Sequence, residues 1–193
     1  DIIANFKSKK TYRHIIIAGH SEGSLIGMVA ALGNVDGFIS LAGPGRTIDL
    51  VIAEQIGKQA PNLKEEVEKN LALLKSGQTF KLENQALSFL FRESLQPYLI
   101  SWIKYDPQIE IQKLQIPVLL INGTKDIQVP VSDAELLKKV KPDAQLKIIT
   151  NMNHLFKEIK TDDLAENQAA YNNPDLPIAP EMVSAVNQFI KSL

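Results

Sequence analysis

Gly19-His20-Ser21-Glu22-Gly23 follows the apolar run Ile15-Ile16-Ile17-Ala18 directly and opens onto a helix-like stretch. A serine hydroxyl is a weak nucleophile until a neutral imidazole takes its proton. The imidazole in turn needs a carboxylate that sets its tautomer and stabilises its charged form. Residues of those types follow in the order Asp126 and His154, each just beyond a later strand-like segment. Strand, sharp turn and helix form the context in which a serine is presented for attack on a carbonyl. Ser21, Asp126 and His154 are therefore the candidate nucleophile, acid and base of a covalent acyl-transfer chemistry. Glycines at 19 and 23 suit a tight reversal where neighbouring side chains crowd, and the backbone N–H of Glu22 can meet a developing oxyanion. The remaining histidines, His14 and His20, read as packing or surface structure, and the Glu22 side chain as stabilising the turn or lining a pocket.

Residues this far apart in sequence meet only if the elements between them allow it. In a parallel sheet the carboxyl ends of successive strands share one edge, so loops leaving those ends can bring residues 21, 126 and 154 together. The pattern supports that layout. After a helical N-terminal segment, DIIANFKSKK, with lysines near its end, a strand spans about His14–Ala18. A helix follows over Ser24–Leu32, stopped at Gly33-Asn34. Val35–Leu41 reads as a second strand, leading into the Ala42-Gly43-Pro44-Gly45 loop. Pro117-Val118-Leu119-Leu120-Ile121 is a compact apolar run expected as a buried parallel strand. Asp126 lies in the turn after it, and Ser132 or Asp133 is placed to cap the next helix. Leu146–Ile149 reads as the fourth strand. The apolar spacing over Glu181–Leu193 predicts a helix packed on the sheet, and Asp162-Asp163 and Tyr171–Pro174 read as loop. Four strands in this arrangement leave an open sheet edge.

Between the second and third strands, residues 46–113 carry helical spacing over Ile48–Lys58, Leu63–Leu74 and about Asn84–Lys104, with a break near Gln96-Pro97. Their position predicts an inserted helical cap over the cleft. Phe80, Phe89, Phe91, Tyr98 and Trp102 in it suit either an apolar substrate pocket or the cap's own core.

The chain has 193 residues, 45% of them hydrophobic, enough for one sizeable core with such an insertion. Its formal charge is −1, from 21 basic and 22 acidic side chains, and the lysine clusters at 7–10 and 138–141 are short, which speaks against nucleic-acid binding. No cysteine is present, which removes disulfides, thiolate catalysis and cysteine-ligated metals while leaving the compartment open. Apolar runs are strand-sized, so no membrane span is expected. Metal and cofactor chemistry have no motif: there is no H-E-x-x-H, no phosphate-binding loop around Gly43-Pro44-Gly45 and no dinucleotide fingerprint.

These stretches resemble the α/β-hydrolase superfamily, in particular bacterial serine hydrolases of the esterase and dienelactone-hydrolase-like kind. IIIAGHSEGSLIG, FISLAGPG, IPVLLINGTKDIQVP and NMNHLF carry the resemblance, which extends over nearly all of the chain. It implies Ser21 as nucleophile, Asp126 as acid, His154 as base and the Glu22 backbone as oxyanion donor, with no cofactor. Ser24 stands where relatives usually place a further glycine. In that fold several strands precede the serine turn, and a loop among them supplies a second oxyanion N–H. The expectation is therefore a partial α/β-hydrolase fold over residues 1–193, the C-terminal catalytic portion of a larger enzyme. That enzyme would cleave a small-molecule carboxylic ester, with thioester hydrolysis, peptide hydrolysis and acyl transfer as alternatives within the same chemistry. A noncatalytic binding or assembly module is the alternative of a different class. For the isolated portion, the open edge predicts weak activity and a homodimer formed through that edge.

Overall fold

The computed structural model describes residues 2–161 and 163–193, so Asp162 of the expected Asp162-Asp163 loop and Asp1 of the N-terminal segment lie outside the described residues. The chain divides into two compact units, one of Asp1–Gly45 with Pro107–Leu193 and one of Arg46–Asp106.

The first unit is built on four parallel strands in the spatial order of the sequence: β1 (Ile16–His20), β2 (Gly37–Leu41), β3 (Val118–Gly123) and β4 (Gln145–Ile149). All six residues of β3 are buried, as an apolar run covered on both faces of a parallel sheet should be. Stepping always to the next strand in one direction, right-handed crossovers must keep their helices on one face. Accordingly α2 (Glu22–Ala31) packs on β1 and β2, α8 (Val131–Val140) on β3 and β4, and α7 (Pro107–Gln112) touches both helices. The opposite face is covered by α10 (Pro180–Lys191), whose Met182, Ala185 and Phe189 pack with Ile39, Leu119, Ile121 and Ile149. The N-terminal helix α1 (Ile2–Lys9) buries no residue.

The second unit contains α3 (Ile48–Gln59), α4 (Lys64–Lys75), α5 (Ser88–Phe91) and α6 (Gln96–Ile103). Its core joins Val51, Ile52, Val67, Leu71 and Leu74 with Leu87, Phe91, Leu99 and Ile103. The unit ends at Asp106, one short helix earlier than the expected 46–113 segment, because α7 packs with α2 and α8. Of the aromatic set, Phe91 is fully buried, Phe80 and Trp102 pack against that core, and Phe89 and Tyr98 are exposed. Phe80 also lines a half-open groove of about 630 Å³, together with Glu66, Lys69, Asn70 and Lys81.

Two further expectations need correcting. Tyr171, expected in loop, is the last residue of a helix that the spacing did not indicate: α9 spans Leu164–Tyr171, and the Asp163 carboxylate caps it by accepting from Ala165 N. Helix α8 begins at Val131 after Pro130, without a side-chain cap from Ser132 or Asp133. Asp133 Oδ1 instead accepts from Gly45 N at 2.8 Å. Among the described residues, no helix is long and apolar enough to cross a membrane.

Candidate active site

The strand register places the carboxyl ends of all four strands side by side: His20 pairs with Leu41, Leu41 with Ile121, and Gly123 with Ile149. Each candidate residue leaves one of those ends. Ser21 follows β1 directly, with φ 55° and ψ −122°. A non-glycine residue there is strained, and such conformations persist only where surrounding structure enforces them. The enforcement is visible. Ser21 N donates to Leu41 O at 2.9 Å, extending the ladder to β2, and Ser24 N donates to Ser21 O at 3.0 Å as α2 begins. Gly19 is required: a Cβ there would stand 2.1 Å from Gly23 O. Gly23 is different, because a Cβ on it would meet nothing within 4 Å, so crowding does not explain that glycine. Although Ser21 occupies the N-cap position of α2, its hydroxyl makes no capping hydrogen bond. Helix capping, the usual structural task of a serine in this place, does not use it.

Asp126 sits in the turn after β3, where its N–H donates to Gly123 O at 3.3 Å. Its side chain is fully buried. Oδ1 accepts from Gln128 N and Val129 N, both at 2.9 Å, which leaves Oδ2 facing His154 Nδ1 at 2.8 Å. The His154 side chain is almost entirely buried. A carboxylate at Nδ1 holds the hydrogen on that nitrogen in the neutral ring and so leaves Nε2 as the lone-pair nitrogen.

The two loops are fastened to each other by groups that spacing arguments did not single out. Lys125 N donates to Met152 O at 3.0 Å, and a Cβ on Gly123 would stand 1.9 Å from that same oxygen, so only glycine permits the approach. Asn153 Oδ1 accepts from Leu155 N at 3.0 Å and Lys157 N at 2.9 Å, shaping the turn around His154. Asn153 Nδ2 donates to Asn167 Oδ1 at 3.3 Å, and Asn167 Nδ2 donates to Lys125 O at 2.7 Å. This amide chain runs from the histidine loop through α9 to the aspartate loop. Its only trace in sequence was two asparagines in a stretch without apolar periodicity.

His20 is the second residue whose surroundings differ from expectation. It packs, but with a polar contact that the packing reading did not include: its ring centroid is 4.7 Å from that of His154 and 4.8 Å from that of Phe156, and its Nε2 lies 2.9 Å from His154 O. Burial, then the neighbouring His154, lowers its pKa below the ordinary histidine value. Glu22 is the first residue of α2, and burial raises its carboxyl pKa. Its backbone N–H belongs to the first turn, where helical amides lack intrahelical acceptors and the helix end is partly positive. Among the described residues, no group of three or more His, Asp or Glu side chains is arranged to hold a metal ion.

No protein-family model matches the chain. Among curated proteins, Esterase EstD of Thermotoga maritima is 29% identical over 158 residues, covering 78% of this chain and 37% of that protein. Among solved structures, the Pyrococcus furiosus esterase Pf2001 aligns with all of this chain and 60% of its own, at 18% identity and a TM-score of 0.52. BpoC of Mycobacterium tuberculosis aligns over 99% of this chain and 70% of its own, at 14% identity and a TM-score of 0.53. The fold is that of the α/β-hydrolases. The chain spans little more than a third of the length of the curated relative that it matches.

Proposed function

We propose that the protein is a serine hydrolase that cleaves carboxylic esters through an acyl-enzyme. The observation that carries this reading is the buried 2.8 Å contact between Asp126 Oδ2 and His154 Nδ1, at the sheet edge where Ser21 presents a hydroxyl that caps nothing. In the reading, Ser21 Oγ attacks the ester carbonyl carbon while its proton passes to His154 Nε2. The tetrahedral oxyanion is met by the N–H of Glu22. Collapse breaks the bond to the alcohol, which leaves with the proton from His154. Water then repeats the sequence on the acyl-serine, with His154 as base, and releases the carboxylic acid. Throughout, Asp126 keeps the imidazole in the tautomer with a free Nε2 and stabilises it when charged. The name of the Thermotoga maritima relative supports an ester as substrate over a thioester or an amide.

The test is a serine-directed phosphonate applied to the whole protein, followed by mass spectrometry of its peptides and an assay on a short-chain ester. A single adduct on Ser21 is expected, lost in Ser21→Ala together with ester turnover. A phosphonate that settles elsewhere, or a Ser21→Ala variant that turns over like the wild type, removes Ser21 from the mechanism. No adduct at all on the folded protein favours a binding module instead.

A further inference from the structure

His20 immediately precedes Ser21, yet its polar contact is with a loop that lies 134 positions further along the chain. Its Nε2 lies 2.9 Å from the backbone carbonyl of His154. A carbonyl only accepts, so His20 Nε2 must carry a hydrogen, and in the neutral ring Nδ1 then holds the lone pair. The two imidazole rings are tilted by 44° with centroids 4.7 Å apart. Phe156, two residues beyond His154, meets the His20 ring edge-on at 4.8 Å. One side chain at the end of β1 thus grips both the backbone and the ring of His154.

We propose that His20 is a positioning residue that pins His154 to the strand bearing Ser21. The inference rests on the serine-hydrolase reading of Ser21 and His154. A base delivers its proton efficiently only when the reacting atoms are held in line, and displacements of about 1 Å cost up to about 100-fold in rate. Ser21 is fixed by β1, β2 and α2, whereas His154 stands on a turn beyond β4. His20 supplies a direct tie between those two supports. Neutrality matters as well, because His154 becomes an imidazolium when it takes the serine proton, and a second cation stacked on it would oppose that step. The titratable groups facing His20 are His154 and Asp126, from the loops after β4 and β3. Burial and His154 lower the His20 pKa, outweighing the hydrogen bond to His154 O and the charge of Asp126, so the ring stays neutral at neutral pH.

The experiment pairs His20→Phe, which keeps the ring and removes the donor, with His20→Gln, which keeps an N–H donor. In ester hydrolysis by the whole protein, His20→Phe is expected to lower kcat roughly 10- to 100-fold while KM stays within about two-fold, with part of the loss recovered by His20→Gln. Thermal unfolding of each variant separates this from a loss of folded enzyme. A His20→Phe enzyme with wild-type kcat, or a His20→Gln enzyme no better than the phenylalanine variant at equal folded fraction, overturns the proposal. Long-range ¹H–¹⁵N NMR of the wild type needs no variant to fold. It should show His20 neutral, with its hydrogen on Nε2; an imidazolium or an Nδ1–H tautomer at neutral pH overturns the proposal. Phosphonate labelling separates the two levels. If wild-type Ser21 is not labelled, the serine reading fails and carries this inference with it. Labelling of Ser21 at the same rate in wild type and His20→Phe defeats the role of His20 alone.

Discussion

Asp126 divides its carboxylate between two tasks, and the division determines what a conservative change would do. Oδ1 is taken by the amides of Gln128 and Val129, and Oδ2 by His154 Nδ1. In Asp126→Asn the remaining oxygen is best used on the two backbone amides, which turns the NH₂ group toward His154. The imidazole must then present a lone pair at Nδ1 and a hydrogen at Nε2, the tautomer that cannot take a proton from Ser21. If Ser21 and His154 act as proposed, Asp126→Asn should keep its folding stability and lose about 10⁴-fold in kcat. Stopped-flow or steady-state ester assays check this, and a loss of less than about ten-fold would leave Asp126 as a turn residue only. At this scale the sequence pointed to residue types and their order, which sufficed to select Asp126 and His154. For His20 it supported no more than packing or surface structure, because a histidine beside a serine looks the same whether it faces solvent, a core or another imidazole.

Among the elements, the Arg46–Asp106 unit shows how a single polar side chain can hold an irregular stretch. Gln96, fully buried at the first turn of α6, accepts from Phe80 N at 2.8 Å and donates to Phe80 O at 2.9 Å and to Phe91 O at 2.8 Å. Residues 78–84 form no helix or strand, so these bonds stand in for a backbone ladder. Gln96→Leu fills similar space but takes the partner from three backbone groups, a buried one at Phe91 and two half-buried ones at Phe80, and should cost about 2 kcal/mol in chemical denaturation. A change below about 0.5 kcal/mol would mean that water or rearrangement satisfies those groups. The sequence marked a break near Gln96-Pro97, and the structure interrupts the helix just before it, over residues 92–95. It gave no sign of α9, because that helix buries only Asn167 and Ala170 and so lacks an apolar stripe. Periodicity detects helices that bury apolar side chains, not one whose inward group is an amide.

For the whole molecule the sheet itself sets the expectation. Among the described residues β1 pairs only with β2, so one side of an apolar strand keeps unpaired backbone groups, and Ala18 on it is exposed. Such an edge is a template for another strand. Two copies related by a twofold axis would join it edge to edge. The 193-residue chain alone is expected to show a dimer fraction that rises with concentration in sedimentation velocity, and Ala18→Lys should shift it to monomer by placing a charge on that edge. A monomer at every concentration, or a dimer indifferent to Ala18→Lys, would sink this expectation.

The parallel sheet, the serine turn and the sites of Asp126 and His154 beyond their strands were legible in the linear chain. Each is written locally: an unbroken apolar run for a strand buried on both faces, a glycine where the turn crowds, and polar residues just past a strand end. The contacts that join those sites were not. That Asp126 Oδ2 meets His154 Nδ1, that Asn153 and Asn167 tie their two loops together, and that His20 reaches the His154 carbonyl all depend on strand register and on the approach of Gly123 to Met152. Hydrogen-bond partners are chosen at distances of about 3 Å between residues far apart in sequence. Only the folded sheet, by aligning the carboxyl ends of its strands, decides which side chains come that close.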